Sequence, residues 1–425
     1  MLGRSVVTPS RSWRLTPRGW AIVVVALLVF AAAVVSDRRE GFVVAVFLVT
    51  LLAVAGVFVG LRRPRLVVSR RLPSDLLAVG EDVDVVLTVG TDSWEPSISR
   101  WRDVVPESFG ATPTGPNSDP ARASDAGVVR SVYSVRPRRR GEFVLGPLVV
   151  TQADPFGLVE ADRSSDGRNA VMVTPRVSPL VRSDLVRASG EGTRHEHRMS
   201  SHPRIDELIA REYRSGDPMR RIHWRATARR GELMVRQEEQ EVDPAVVLLL
   251  DTGASLDGSP APTPTVFEQM VDLAASISAH VLDDGFRLTL VESTPREAAA
   301  AERFEPAHAA DVLRRLALVS PTGPADDDPG IAAVSRDVLD RAGGAVPFVV
   351  LLADAGIATV RRLVPLARLA DPAIAFVPPG TASVDGAELL RSAGWIVGVV
   401  DPERPVEEIW NDTMLVDRGR PEGVI

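Results

Sequence analysis

The stretch REYRSGDPMRRIHWRATARRGEL, Arg211 to Leu233, crowds arginines, carboxylates, a histidine and a tryptophan into a few helical turns. Three chemistries use those residue types. A nucleic-acid grip requires a basic surface with few neutralising acids, yet Glu212, Asp217, Glu232, Glu238, Glu239 and Glu241 share the segment and the chain carries a net charge of -7. Nucleic-acid binding is therefore excluded. Catalysis through His223 requires a partner base or nucleophile, and a lone histidine beside Trp224 is more often a packed, hydrogen-bonded residue. The third chemistry is arginine–carboxylate pairing. Arg211, Arg214, Asp217, Arg221, His223, Trp224, Arg225 and Arg229 would then form an interdomain clamp, with part of the arginine stripe left for an acidic partner.

The spacing predicts a helix from Pro218 to about Arg230. Asp217 is its cap, Pro218 its first residue and Gly231 its left-handed terminator. Met219, Ile222 and Ala226 share one face, flanked by His223 and Trp224, and Arg221, Arg225 and Arg229 recur every fourth residue on another. ELMVRQEEQE then resumes as a strand.

Other chemistries are closed off by composition. All 49 basic residues are arginine, so the lysine of a nucleotide-binding P-loop and any Schiff-base amine are missing. The absence of cysteine removes thiol nucleophiles, thiolate metal sites and disulfides. His195-Glu196-His197, with His202 nearby, has metal-binding residue types but lies in a polar Arg- and Ser-rich stretch, which reads as a solvated loop.

From Ala245 onward AVVLLLD, FRLTLVES, VPFVVLLAD, AIAFVP and WIVGVV alternate with helical segments. One of these, TVFEQMVDLAASISAHVLDDG, has Val266, Met270, Leu273, Ile277 and Val281 on its buried face. The alternation predicts a parallel sheet covered on both sides. Ligands of such sheets sit at the carboxyl ends of strands, where Asp251 and Asp354 fall.

At the other end of the chain, Ala21–Val35 and Gly41–Leu61 contain no charge and approach the ~30 Å needed to cross a bilayer. Ser36–Glu40 joins them, which predicts a membrane hairpin. Arg4, Arg11, Arg14 and Arg18 precede it and Arg62, Arg63, Arg65, Arg70 and Arg71 follow, so the positive-inside rule puts both ends and the soluble domains in the cytoplasm, at the plasma membrane. A cleaved signal peptide ending near Ala31–Ala33 is the competing reading of the first segment. Short β-branched runs from Arg65 to Pro175 predict a small antiparallel sandwich, with Gly110–Gly127 as a loose loop. Within it RPRRRGEFVLGPL (Arg136–Leu148) reads as a hairpin end and strand rather than a lipid contact, and ADPFGLVE (Ala153–Glu160) as a tight turn with a buried aromatic.

RPRRRGEFVLGPL, ADPFGL, REYRSGDPMRRIHWRATARRGELMVRQEEQE and a following hydrophobic strand that ends in aspartate together resemble the uncharacterised family called domain of unknown function fifty-eight. The resemblance implies a membrane-associated protein whose C-terminal half is von Willebrand factor A-like and which is paired with a MoxR-type AAA+ ATPase; no enzymatic activity attaches to the motif. A von Willebrand A metal site carries Asp-x-Ser-x-Ser, then a threonine and an aspartate from later loops. Here Asp251 and Ser255 match the outer positions, Gly253 replaces the inner serine, Asp354 matches the late aspartate, and Thr322, or else Ser320, falls near the threonine position. Oxygen donors of this kind suit Mg²⁺, so the resemblance implies a degenerate Mg²⁺ site.

The expected fold is α+β and multidomain. It has a basic N-terminus (1–18), a transmembrane hairpin (19–61), an all-β sandwich-like domain (65–175), a linker with the arginine-rich motif (176–243) and a doubly wound, Rossmann-like α/β domain (244–425). The expected function is a non-enzymatic adaptor holding the MoxR-type ATPase or its clients at the membrane, in envelope-related maturation. The alternatives are a metal-dependent hydrolase using Asp251 and Asp354, and an adhesion-type binding module.

Overall fold

The computed structural model describes residues 7–8, 13–61, 66–91, 98–116, 123–124, 128–165, 167–181, 210–213, 219, 222, 224–236, 245–253, 263–293, 301–321, 331–342 and 346–418. The chain divides into two compact units, Met1–Ser178 with Ala310–Ser320, and Pro179–Ala309 with Pro321–Ile425.

The first unit begins with strands β1 (Val7–Thr8) and β2 (Trp13–Leu15) and helices α1 (Pro17–Ser36) and α2 (Arg39–Leu61). Thr16 caps α1 by accepting from the Gly19 amide at 3.1 Å, and Pro17 supplies a preset φ at the first helical position. At 20 and 23 residues both helices are long and apolar enough to cross a membrane, and most of their side chains face outward. These helices point to a membrane-associated protein. Near the turn between them a Cβ on Gly41 would meet the Ala33 Cβ at 2.5 Å, so this glycine is what lets the two helices approach.

Eleven strands follow: β3 (Leu66–Arg71), β4 (Leu76–Ala78), β5 (Val83–Thr91), β6 (Ile98–Asp103), β7 (Thr114–Pro116), β8 (Ala123–Ser124), β9 (Val128–Val135), β10 (Gly141–Leu145), β11 (Leu148–Ala153), β12 (Val159–Ser165) and β13 (Asn169–Thr174). They build sheets of order β1-β12-β11-β6-β7, with β2 also on β12, then β3-β5-β9-β8 and β10-β13-β4. Alternation positions them: Val83, Val85, Leu87 and Val89 of β5 are buried while the residues between them are not. Leu87 and Val89 share a core with Trp101 of β6 and Leu148 and Val150 of β11. Two expectations change here. The β13–β4 pair is parallel, so the third sheet is mixed, and the stretch read as a loose loop contributes β7 and β8 by pairing with β6 and β9.

Arg70, counted above among the arginines after the second apolar segment, is wholly buried. Its guanidinium pairs with Asp103 through Nε at 2.8 Å and NH2 at 2.6 Å, and its NH1 donates to the Gly167 carbonyl and Asn169 Oδ1. Tyr133 donates its hydroxyl to Asp103 at 2.6 Å. Burial first, then the Asp103 charge, push the phenol far above its usual range, so it stays a donor at any working pH.

In the second unit, β14 (Ala210–Glu212), α3 (Trp224–Arg230) and β15 (Met234–Arg236) precede the main sheet, and β14 pairs antiparallel with β15. The remaining elements are β16 (Ala245–Leu250), α4 (Pro264–Asp283), β17 (Arg287–Glu292), β18 (Ala301–Phe304), α6 (Ile331–Ala342), β19 (Val346–Leu351), α7 (Ile357–Leu363), β20 (Ala370–Val377), α8 (Thr381–Ser392), β21 (Ile396–Val399) and α9 (Val406–Arg418); between β18 and α6 in the chain, α5 (Ala309–Leu318) belongs from Ala310 onward to the first unit. The sheet order is β18-β17-β16-β19-β20-β21. Five strands are parallel as expected; β18 pairs antiparallel with β17, which corrects the all-parallel expectation. Its AERF sequence lacks the β-branched content that marks the others.

The central strands β16 and β19 are buried on both faces. Val247, Leu249, Phe348 and Val350 point to the side covered by α6, α7 and α8, with Trp395 closing that core. The intervening residues face the other way, where α4 packs on β16 and β17 and α9 on β21.

Candidate functional site

The order of the second sheet reverses direction at β16, whose neighbours β17 and β19 are followed by connections leading to opposite sides. At such a point the loops after the strand ends diverge and leave a crevice. Asp251 follows β16 directly, its amide donating to the Leu351 carbonyl at 2.9 Å. Ser293 follows β17, its amide donating to the Leu250 carbonyl at 3.2 Å. Asp354 lies three residues past β19.

Asp251 is 7% exposed and accepts three hydrogen bonds: Ser293 Oγ to Oδ1 at 2.7 Å, the Gly253 amide to Oδ1 at 3.1 Å and the Ala353 amide to Oδ2 at 3.0 Å. Ser293 Oγ also accepts from the amides of Thr252 and Gly253. Asp354, 8% exposed, accepts from the Gly356 amide at 3.0 Å and from Thr359 Oγ1 at 3.3 Å. A Cβ on Gly386 of α8 would collide with the Ala355 carbonyl, so this glycine lets α8 close over the loop. Ser293 is the residue that sequence reading missed. Its only local signal was a hydroxyl one residue past an apolar strand.

Burial holds the Asp251 carboxyl above the usual range, with the nearby Asp354 charge adding to the shift and the three donors opposing it. The folded unit therefore retains a proton that the unfolded chain releases at the ordinary carboxylate value. Between that value and the raised one, stability falls as pH rises. Urea unfolding of the second unit is expected to shift to higher midpoint as pH is lowered through that window. The Asp251→Asn variant should lack this slope and, because its amide cannot accept from Ala353, lose about 1–3 kcal/mol at the acidic end. An unchanged slope in the variant would mean that Asp251 is not the group responsible.

The Mg²⁺ set implied by resemblance is only partly represented. Ser255 and Thr322 lie outside the described residues, as do His195, Glu196, His197 and His202. A carboxylate offers about four lone-pair sites, and Asp251 has three of them committed to protein donors. Among the described residues no group of three acidic or histidine side chains converges. The described donors form a hydrogen-bonded clasp that fixes three loop ends.

In the arginine stretch the helix is shorter than expected. Arg214, Asp217, Arg221 and His223 lie outside the described residues, Arg211 belongs to β14, and the helix spans only Trp224–Arg230, including Arg225 and Arg229. Gly231 terminates it with φ +78°, its amide donating to the Thr227 carbonyl, as its sequence position predicts. Ile222 is buried, but Met219 is 61% exposed and Trp224 67% exposed, against the expectation that both lie on or beside a packed face. Arg229 and Arg230 are exposed and make no ion pair among the described residues. Thr227 Oγ1 accepts from the Met234 amide at 3.0 Å, which fixes the helix against β15.

An apolar helix pair, separate β sheets and a mixed α/β sheet with acidic loop ends define the class: a membrane-associated protein of mixed α/β fold. Residues 209–363, which hold both the arginine stretch and the strand ends bearing Asp251 and Asp354, match the family model described as protein of unknown function DUF58. No curated protein matches the chain. Among solved structures it is similar to the CARDB domain of a Pyrococcus furiosus protein in complex with di-metal ions, at 14% identity over 26% of this chain and 93% of that one, with a TM-score of 0.17. Cwp6 from Clostridium difficile matches at 8% identity over 82% of this chain and 56% of its own, with a TM-score of 0.15.

Proposed function

We propose that the chain is a non-enzymatic adaptor, anchored in the plasma membrane by its helix pair, that holds a MoxR-type AAA+ ATPase or that enzyme's clients at the cytoplasmic face. The carrying observation is the exposure of Trp224 on α3, inside the family-matched stretch and beside exposed Arg229 and Arg230. Tryptophan and arginine dominate the energetics of protein interfaces, and a free chain gains nothing by leaving an indole in water. The MoxR partner comes from the family resemblance, and the cytoplasmic orientation from the arginines that flank the helix pair.

The strand order of the second sheet, five parallel strands with an antiparallel edge, supports the von Willebrand A-like reading of that unit as the partner-presenting scaffold. The engaged lone pairs of Asp251 favour a structural role there over the hydrolase alternative.

The test is direct binding of a purified MoxR-type ATPase to the full chain in lipid discs, with and without nucleotide. Trp224→Ala is expected to weaken binding by about 30-fold, the equivalent of a hot spot of ~2 kcal/mol. No binding by the wild-type chain in either nucleotide state would end the adaptor reading, and unchanged affinity in the variant would move the contact elsewhere.

A further inference from the structure

The Asp154–Gly157 turn presents its aromatic residue outward. Phe156 is 60% exposed, whereas its sequence reads as a tight turn with a buried ring. The turn itself is rigid. Asp154, 4% exposed, accepts from the amides of Phe156 at 2.8 Å and of Leu158 and Val159 at 2.6 Å each, and Gly157 closes the turn with φ +67° and an amide bond to the Asp154 carbonyl. A turn held by four hydrogen bonds keeps Phe156 at its apex in one orientation.

That turn is fastened to the start of the first apolar helix. Thr16, the cap of α1, donates its hydroxyl to the Gly157 carbonyl at 2.6 Å and its amide to the Leu158 carbonyl at 3.0 Å. Gly19 has no room for a side chain against that same Leu158 carbonyl. The strand leaving the turn is fixed to the end of the second helix: Leu158, Val159 and Ala161 share a core with Ala55 and Val59, and Arg163 donates to the Val59 carbonyl at 2.9 Å. Phe156 therefore stands within a few residues of the level at which both helices leave the apolar layer.

The surroundings match a membrane surface. Trp13 and Trp20, 53% and 58% exposed, sit at the same end of the helix pair, and the Trp13 ring occupies the space that side chains on Gly56 and Gly60 would fill. The exposed Arg18 places its guanidinium 3.7 Å from where a Gly157 side chain would begin. Exposed aromatic rings collected with a cation at the end of an apolar helix pair are the composition of a lipid headgroup layer, where ring bodies meet acyl carbon and guanidinium meets phosphate.

We propose that the Asp154–Gly157 turn is a membrane-surface anchor. Phe156 sits at the boundary of headgroups and acyl chains, in the leaflet where α1 begins and α2 ends, and holds the first unit against the bilayer as a third point of attachment beside the two helices. The proposal rests on the reading of α1 and α2 as membrane-spanning, and the experiment separates the two.

Because the chain has no cysteine, single labels are unambiguous. Phe156→Cys, Val46→Cys in the middle of α2 and Val144→Cys on β10 are each made in the full chain and labelled with an environment-sensitive fluorophore. All three positions are exposed, and the core beside Val144 shares no residue with the one beneath the turn. The proteins are reconstituted into phosphatidylcholine–phosphatidylglycerol vesicles carrying a nitroxide either at the headgroup or deep in the acyl chain. The expected result is deep quenching at position 46, shallow quenching several-fold stronger at 156 than at 144, and a blue-shifted emission at 156. If 46 is quenched but 156 behaves like 144, the anchor is overturned while the spanning reading stands. Shielding at 156 from both lipid nitroxide and aqueous iodide also overturns it, since a protein surface then covers the ring. No quenching at 46 removes the spanning reading, and the anchor with it.

Discussion

Asp103→Ala is expected to destabilise the first unit by about 3–5 kcal/mol, the cost of leaving a buried charge without its partner. The Arg70 and Asp103 side chains are both 0% exposed, joined by two hydrogen bonds of 2.8 and 2.6 Å. Among the described residues, removing the carboxylate leaves the buried guanidinium with only the Gly167 carbonyl and Asn169 Oδ1 as acceptors, and takes away the acceptor of the Tyr133 hydroxyl. Arg70→Met combined with Asp103→Leu should cost much less than either change alone, because paired apolar replacement removes the desolvation cost of both charges. Hydrogen exchange read at β3, β6 and β9 gives the local free energy without assuming that the two units unfold together. A single-variant loss below about 1 kcal/mol, the range of exposed ion pairs, would show that the pair is hydrated in solution.

The other large effect is expected at Trp410 on α9. The side chain is fully buried, stacked on Phe376 with ring centroids 6.2 Å apart, set edge-on to His280 at 6.1 Å, and its Nε1 donates to the Val181 carbonyl at 3.2 Å. It joins α9, α4 and β20, and it holds the chain entering the second unit near residue 181. Trp410→Ala is expected to cost about 3–5 kcal/mol through cavity formation. Trp410→Phe keeps most of the apolar contact and forfeits the hydrogen bond, a loss nearer 1 kcal/mol plus a smaller packing term. Chemical unfolding of the second unit, followed by near-ultraviolet circular dichroism, checks the order. Equal losses for the two variants would mean that the Val181 bond, rather than packing, fixes α9.

Features that depend on near neighbours were legible in the sequence. The two uncharged runs have the length of a bilayer and became helices because nothing in them competes with intrahelical hydrogen bonding. Val83, Val85, Leu87 and Val89 announce a strand with one buried face. Gly231 ends α3 where a left-handed cap was expected, since only glycine takes that conformation without strain. The apolar runs ending at Asp251 and near Asp354 likewise gave central parallel strands and so placed both aspartates at strand ends.

Tertiary structure alone decided which distant residues meet. Asp251 finds its hydroxyl partner 42 residues away at Ser293, and Arg70 finds Asp103 33 residues away; neither separation leaves a periodic trace. The short AERF strand pairs only because β17 offers it an edge. Exposure was hidden for the same reason: turn composition read Phe156 as buried and helical spacing set Trp224 beside an apolar face, but whether an aromatic ring is covered depends on what lies opposite it in space. The sequence by itself determined the local periods and the caps, because these follow from the backbone and adjacent side chains. The long-range contacts determined the charge pairs, the engaged state of the acidic loop ends and the rings left facing outward, because those depend on the packing of whole elements.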